Sequence, residues 1–326
     1  MRSVLLTGPM RFRETEIATE PAPGPGEATV RVFAGGICGS DGPFVRGTPA
    51  RFGGGAHRDG IAPAGSPMHE IAGRIVDPGT SDFRPGDRVV GWATGFDGMA
   101  EIVATNADSL ATYSDRWSPA EAVLLQPLAC VLYAVDRLGD LTGRRCTVLG
   151  LGPIGLLFAH VLNEAGAHVD GVDLVDRSEV ASAVGLRSVT RSHSAAWAAS
   201  IEDSDRPDVV LEAVGHQTAT LNHAIDAVAP QGTVFYFGVP DEDHYAINME
   251  HMVRKDLTLL AGGTRDRQRT LAVAGGYLQH HPDLIPTILT HAFPISHVAE
   301  AFAAATTPAT GRHKVVITMA EWHTEP

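Results

Sequence analysis

The stretch Cys146-Thr147-Val148-Leu149-Gly150-Leu151-Gly152-Pro153-Ile154-Gly155 decides the fold. Its first four residues form a short apolar run that reads as a buried strand, and residues 154–165 continue as a helix. The glycines between them fit G-x-G-x-x-G, and a second apolar segment, 168–174, carries Asp173 18 residues after Gly155. Strand, glycine turn, helix, strand and acidic residue, in that order, are the context of a dinucleotide-binding fingerprint. Gly150 permits the tight turn, Gly152 lets the backbone approach a pyrophosphate, and Gly155 allows helix and strand to pack closely. Pro153 and Ile154 open the helix, whose unpaired N–H groups face the phosphates. Asp173 is placed to accept hydrogen bonds from the ribose hydroxyls and to repel a 2′-phosphate, which favours NAD over NADP. Arg177, just past the strand, is the residue that could pair with such a phosphate. The bland alternative is a glycine turn in an α/β domain that binds another ligand.

Outward from this motif, apolar segments at 207–214, 232–239 and 256–260 alternate with helical stretches. That rhythm predicts a doubly wound parallel sheet covered on both faces, a Rossmann domain. Residues 1–113 read differently. Alternating or apolar runs at 28–33, 69–76 and 87–92, separated by Pro/Gly-rich turns, predict a β-rich region. Ser118-Pro119-Ala120-Glu121 carries the signals of a helix start. After residue 263 come two helical stretches, 267–280 and 297–305, and a last strand, 314–319. The expected organisation is a β-rich domain over 1–120, a Rossmann domain over 121–263, and a return to the first domain over 264–326.

The chain has 326 residues with 25 Lys+Arg against 38 Asp+Glu, a formal net charge of −13. A phosphate-tracking nucleic-acid binder is therefore not expected. Three cysteines, none in a C-x-x-C spacing, exclude a disulfide framework and a zinc lobe held by four cysteines. Reduced thiols and a cytoplasmic location are the expectation, with Cys130 and Cys146 as packed core thiols. The most apolar window, 148–162, is broken by glycines and Pro153 and predicts no membrane span.

Cys38, His69 and Glu70 offer sulfur, nitrogen and oxygen donors, a set that zinc accepts with water completing a tetrahedron. Taken alone, a buried cysteine and a strand histidine are as readily core residues. A long stretch without periodicity lies between Ile37 and Met68; it holds Arg51, His57 and Arg58, read as surface residues or substrate contacts.

The motifs GGICGSD (35–41), HEIAGRIVDPG (69–79), PGDRVVGWA (85–93), QPLACVLYAVDR (126–137), GLGPIG (150–155), DVVLEAVG (208–215) and THAFPISHVAEAF (290–302) run in one order along the chain. Together they resemble the medium-chain, zinc-dependent alcohol/polyol dehydrogenase family, the branch of sorbitol, threonine, glucose and aminocyclitol dehydrogenases. The resemblance implies a GroES-like catalytic domain beside the Rossmann domain. It implies that Cys38 and His69 hold one catalytic zinc, with Glu70 coordinating directly or from close by. Ser40 would relay the substrate proton, and Asp41 would fix the tautomer of His69. A polyol, sugar or aminocyclitol substrate and a homodimer, with 256–260 contributing to the contact, follow in the same way. A zinc-free NAD(P)H reductase and a non-catalytic NAD-binding protein are the alternatives.

The sequence departs from the family pattern at four points. Gln126 stands where an acidic residue usually supplies another group at the zinc. Met68 replaces a glycine and is expected to add a side chain near the metal. Pro43 replaces a histidine of the proton relay. The structural-zinc lobe is missing between GDRVVGW and FDGMAE, so no structural zinc is expected.

Overall fold

The computed structural model describes residues 1–47 and 63–323; Arg51, His57 and Arg58 lie outside them. The chain divides into two compact units. The first takes in the described residues of Met1–Ala129, Arg265–Thr307 and Arg312–Pro326, and the second takes Cys130–Thr264 with Pro308–Gly311. The first division falls inside the helix Leu125–Asp136, later than the expected 120/121, because that helix begins before Cys130 and runs on past it.

In the first unit the described strands form a hairpin, Arg2–Gly8 with Arg11–Glu16, and a seven-stranded sheet. The sheet runs Leu289–Pro294, Lys314–Thr318, Glu27–Gly36, Glu70–Asp77, Arg88–Trp92, Leu110–Thr112, with Ile102–Asn106 also paired to Glu27–Gly36. Its pairings are antiparallel except the first, between Leu289–Pro294 and Lys314–Thr318. The strand Glu27–Gly36 buries alternate residues such as Val30 and Val32 into a core that also takes Phe302, Val315 and Ile317. The unit thus needs its C-terminal return, because the helix Val298–Thr306 and the strand Lys314–Thr318 supply one wall of that core.

The second unit is built on six parallel strands in the order Leu186–Arg191, His168–Asp173, Arg145–Leu149, Val209–Glu212, Thr233–Tyr236, Thr258–Ala261. Central strands such as Val209–Glu212 are buried at every residue, as expected when helices cover both faces. The strand order reverses between Arg145–Leu149 and Val209–Glu212, the place where doubly wound sheets take their ligands.

The helical stretch Pro119–Asp136 is long and apolar enough to cross a membrane by length and composition alone. Most of it is buried within the fold and it carries the buried Gln126, so it is a core element. Its start is the capping box read from the sequence: Ser118 Oγ accepts from the Glu121 N–H, and the Glu121 carboxylate accepts from the Ser118 N–H.

Candidate metal centre and dinucleotide loop

The strand Glu27–Gly36 ends where the chain must turn, and Cys38 sits on that turn. The Cys38 N–H donates to Asp41 Oδ2 at 2.8 Å and the Asp41 N–H donates back to the Cys38 carbonyl at 3.1 Å. This closed turn presents Cys38 beside the start of the strand Glu70–Asp77, which is paired to the same neighbour through Gly36 and Glu70. The donor atoms of Cys38, His69 and Glu70 all lie within 4.8 Å of one another. Residues 31 apart in sequence are thus brought to one point by a single antiparallel pairing.

One atom at that point lacks a partner altogether. Among the described residues Ser40 Oγ is buried with no hydrogen bond, while Asp41 Oδ1 and His69 Nδ1 face each other and Glu70 Oε2 faces the Lys314 ammonium. Buried polar atoms are ordinarily satisfied, so an unpartnered hydroxyl beside sulfur, nitrogen and carboxylate donors fits a site built for an ion and a ligand. Ser40 also stands at the N-cap of the short helix Asp41–Val45, yet its hydroxyl caps nothing. His69 Nδ1 is 3.4 Å from Asp41 Oδ1, which leaves Nε2 as the ring atom for a metal. Burial alone would lower the His69 pKa, but the Asp41 carboxyl and Cys38 beside it hold it well above the ordinary histidine value. Burial pushes the Asp41 carboxyl up, against the pull of His69.

Glu70 is fully buried and paired to a cation: Lys314 Nζ donates to Glu70 Oε1 at 2.6 Å and to the Ile37 carbonyl at 2.9 Å. Lys314 is itself buried at the head of the last strand. The pair needs Gly36, because a Cβ there would stand 2.1 Å from Glu70 Oε2 and 3.0 Å from Lys314 Cε. Sequence reading assigned no role to Lys314 or Gly36. The available signal was a lysine opening an otherwise apolar strand, KVVIT, a residue type seldom buried unless paired.

Met68 does not enter this site. It is fully buried in the hydrophobic core of its unit, where Gly35 makes room: a Cβ at Gly35 would lie 2.1 Å from Met68 Cε. The segment that stands in place of the lobe brings Phe96 against His69, with ring centroids 5.1 Å apart. Gln126 is buried at the first turn of the helix Leu125–Asp136, and Pro43 is buried in Asp41–Val45. Cys146 is a buried thiol pushed up to about 12 by desolvation.

In the second unit, Gly150 has φ +86, and a Cβ at Gly155 would stand 1.8 Å from the Gly150 carbonyl oxygen. Any other residue at either position would break the turn. A Cβ at Gly152 would meet nothing within 4 Å, so the loop leaves open space at that point. The helix Pro153–Glu164 starts with Pro153 as its first residue and no side-chain cap, leaving its first N–H groups for a ligand. Asp173 Oδ2 accepts from the Leu151 N–H at 2.6 Å and Oδ1 from the Val175 N–H at 2.8 Å. Its carboxylate therefore shapes the glycine loop and keeps one lone pair on each oxygen for a further donor. Arg177 is buried, and its guanidinium donates to the Ala309 carbonyl at 2.8 Å.

Two family profiles match the chain: an alcohol dehydrogenase GroES-like domain over residues 24–169 and a zinc-binding dehydrogenase over 153–272. The L-threonine 3-dehydrogenase of Saccharopolyspora erythraea is 27% identical, over 94% of this chain and 96% of that protein. The sorbitol dehydrogenase of Halalkalibacterium halodurans is 25% identical, over 87% and 90%. An alcohol dehydrogenase from E. coli, solved with the cofactor NADH, shares the fold with a TM-score of 0.78 at 22% identity, covering 98% of this chain and 99% of that one.

Proposed function

The chain belongs to the medium-chain, zinc-dependent alcohol/polyol dehydrogenase family, and from that premise we propose that it transfers a hydride between NAD(H) and a secondary alcohol or ketone of a polyol, sugar or aminocyclitol. The observation that carries the proposal is the convergence of Cys38, His69 and Glu70 beside the buried, unbonded Ser40 hydroxyl. These three side chains would hold the zinc, with Gln126 contributing at most a neutral oxygen. A bound zinc ion supplies Lewis acidity toward the substrate oxygen. Ser40 Oγ, buried and unbonded, is the acceptor for the substrate's hydroxyl proton. Asp41 fixes the His69 ring from its Nδ1 side, and Lys314 holds the Glu70 carboxylate in place.

Gly150, Gly152, Pro153, Ile154 and Gly155 would receive the pyrophosphate, and Asp173 the adenosine ribose. Arg177 is turned to the Ala309 carbonyl, which supports NAD over NADP. Among the described residues the strand Thr258–Ala261 ends its sheet with one edge unpaired, and the nearby helix Met249–Arg254 exposes Met249 and Val253. We assign a homodimer to that edge. Light scattering at micromolar concentration should give twice the chain mass, and a monomer would reject the assignment.

The test of function is NAD reduction over a panel of polyols, sugars and aminocyclitols, with metal analysis on the same preparation. Cys38→Ala should lose its bound zinc and on the order of 10³-fold in kcat/KM, while still binding NADH. Undiminished turnover by Cys38→Ala would identify a zinc-free reductase instead. Saturable NADH binding with no turnover on any alcohol or carbonyl would identify a non-catalytic NAD-binding protein.

A further inference from the structure

Glu212 is the last residue of the strand Val209–Glu212 and is fully buried, yet nothing in the proposed chemistry uses it. It stands at the carboxyl end of the strand beside which the sheet order reverses. Ala213 donates its N–H to the Leu149 carbonyl at 2.9 Å, and a Cβ at Gly150 would lie 3.0 Å from the Val214 nitrogen. The segment 213–216 therefore runs directly beside the glycine turn. With the pyrophosphate on that turn and the adenosine ribose toward Asp173, the other half of a dinucleotide must pass over the ends of the neighbouring strands. Those ends are 213–216 and 237–239.

The two segments touch backbone to backbone. Gly215 has φ +63, and a Cβ at Gly238 would stand 2.3 Å from Gly215 Cα and 2.5 Å from Glu212 Oε2. The His216 N–H donates to the Val239 carbonyl at 2.8 Å. Glu212 lies beneath both, its carboxylate bonded to the first and packed against Gly238 of the second. Its Oε1 accepts from the N–H groups of Val214 at 3.2 Å and Gly215 at 3.1 Å, while its main-chain oxygen accepts from Phe237 at 2.9 Å and Gly238 at 3.0 Å. No ion pair to Glu212 occurs among the described residues, and its Oε2 makes no hydrogen bond. Burial pushes the carboxyl's pKa up, and the Thr220 hydroxyl and the surrounding N–H groups act against that. A carboxyl kept dry without a cation is costly, and a merely structural position would be filled at less cost by an apolar side chain.

We infer that Glu212 is a positioning residue for the nicotinamide half of the cofactor: its carboxylate holds the loop 213–216 against Gly238 in the backbone surface on which that half rests. The inference builds on the proposed NAD-dependent function. It acts through main-chain atoms, since Glu212 is too deeply buried to touch the cofactor itself.

The test compares two probes on the intact protein: NADH, which spans both halves of the site, and AMP, which fills the adenosine half alone. Glu212→Ala should weaken NADH binding by about tenfold or more, with AMP affinity kept within about twofold. Glu212→Gln keeps an oxygen for the Val214 and Gly215 N–H groups and should stay within about threefold of wild type for both probes. Unchanged NADH binding in Glu212→Ala, or parallel loss of NADH and AMP, overturns the inference. Should Glu212→Ala fail to fold, Glu212→Asp withdraws the carboxylate by one methylene and is read against the same two outcomes. Wild-type protein that binds AMP but not NADH would defeat the functional reading itself, a different failure from either.

Discussion

Glu70 and Glu212 are both fully buried carboxylates on strands, one in each unit, and they are satisfied in opposite ways. Glu70 faces the Lys314 ammonium, which reaches it from a strand 244 residues away in sequence. Glu212 faces main-chain N–H groups no more than three residues away. A cation partner fixes a carboxylate at a point and offsets its charge, which suits an atom standing among candidate metal donors. Backbone N–H groups offset the charge less and instead bind the carboxylate to the course of the chain. The first arrangement positions a side chain, and the second positions a loop.

The largest effect expected from breaking this contrast is at Lys314. Lys314→Met leaves Glu70 as a buried charge without its cation and should cost about 3–5 kcal/mol of stability in urea unfolding. Combining it with Glu70→Leu replaces both charges with apolar groups and should recover most of that loss, without restoring bound metal. Should the double variant be as unstable as Lys314→Met alone, the ion pair is not what Lys314 contributes.

A smaller effect sharpens the contrast with a third carboxyl, which has neither kind of support. Asp97 Oδ1 is buried and makes no hydrogen bond, and burial raises the pKa of this group from 3.8 to about 6, with Glu27 adding to the shift. An acid with a raised folded-state pKa binds its proton more readily folded than unfolded. Its penalty is therefore in full force above about pH 6 and disappears as pH falls toward 3.8. Asp97→Asn should stabilise the protein at about pH 8, by at most about 3 kcal/mol, and have little effect near pH 4. Equal stabilisation at both values would show that the carboxyl's charge is not the cause.

How much of this was legible in the sequence depended on the range of each interaction. The glycine turn, the Ser118 capping box and the helix Arg267–His280 are local, and their residues state their own geometry. The central parallel strands were legible as apolar runs because both of their faces are covered, while the polar, exposed edge strand Leu186–Arg191 was not. The hairpin Arg2–Gly8 with Arg11–Glu16 went unread, since its second strand is largely polar and exposed. Cys38, His69 and Glu70 were legible as donors, but only the pairing of Gly36 with Glu70 brings them to one point. Met68 precedes the strand and packs into the core against Gly35, a long-range contact that its place beside His69 in sequence does not reveal. Lys314 showed only as a lysine opening an apolar strand, and nothing near it in sequence says what lies across the sheet.

The partner of Glu70 is also made long after Glu70 itself. With synthesis running at about 5–20 residues per second, Lys314 follows Glu70 from the ribosome only after roughly ten seconds to a minute. During that interval the wall formed by Val298–Thr306 and Lys314–Thr318 does not exist, and closing the first unit would leave a charge dry and unpaired. The second unit has no such wait, because its six strands and the glycine turn are all contained in Cys130–Thr264. The order of completion is therefore reversed from the order of synthesis: the unit with the glycine turn can take shape while the unit with Cys38 and His69, begun first, is still open.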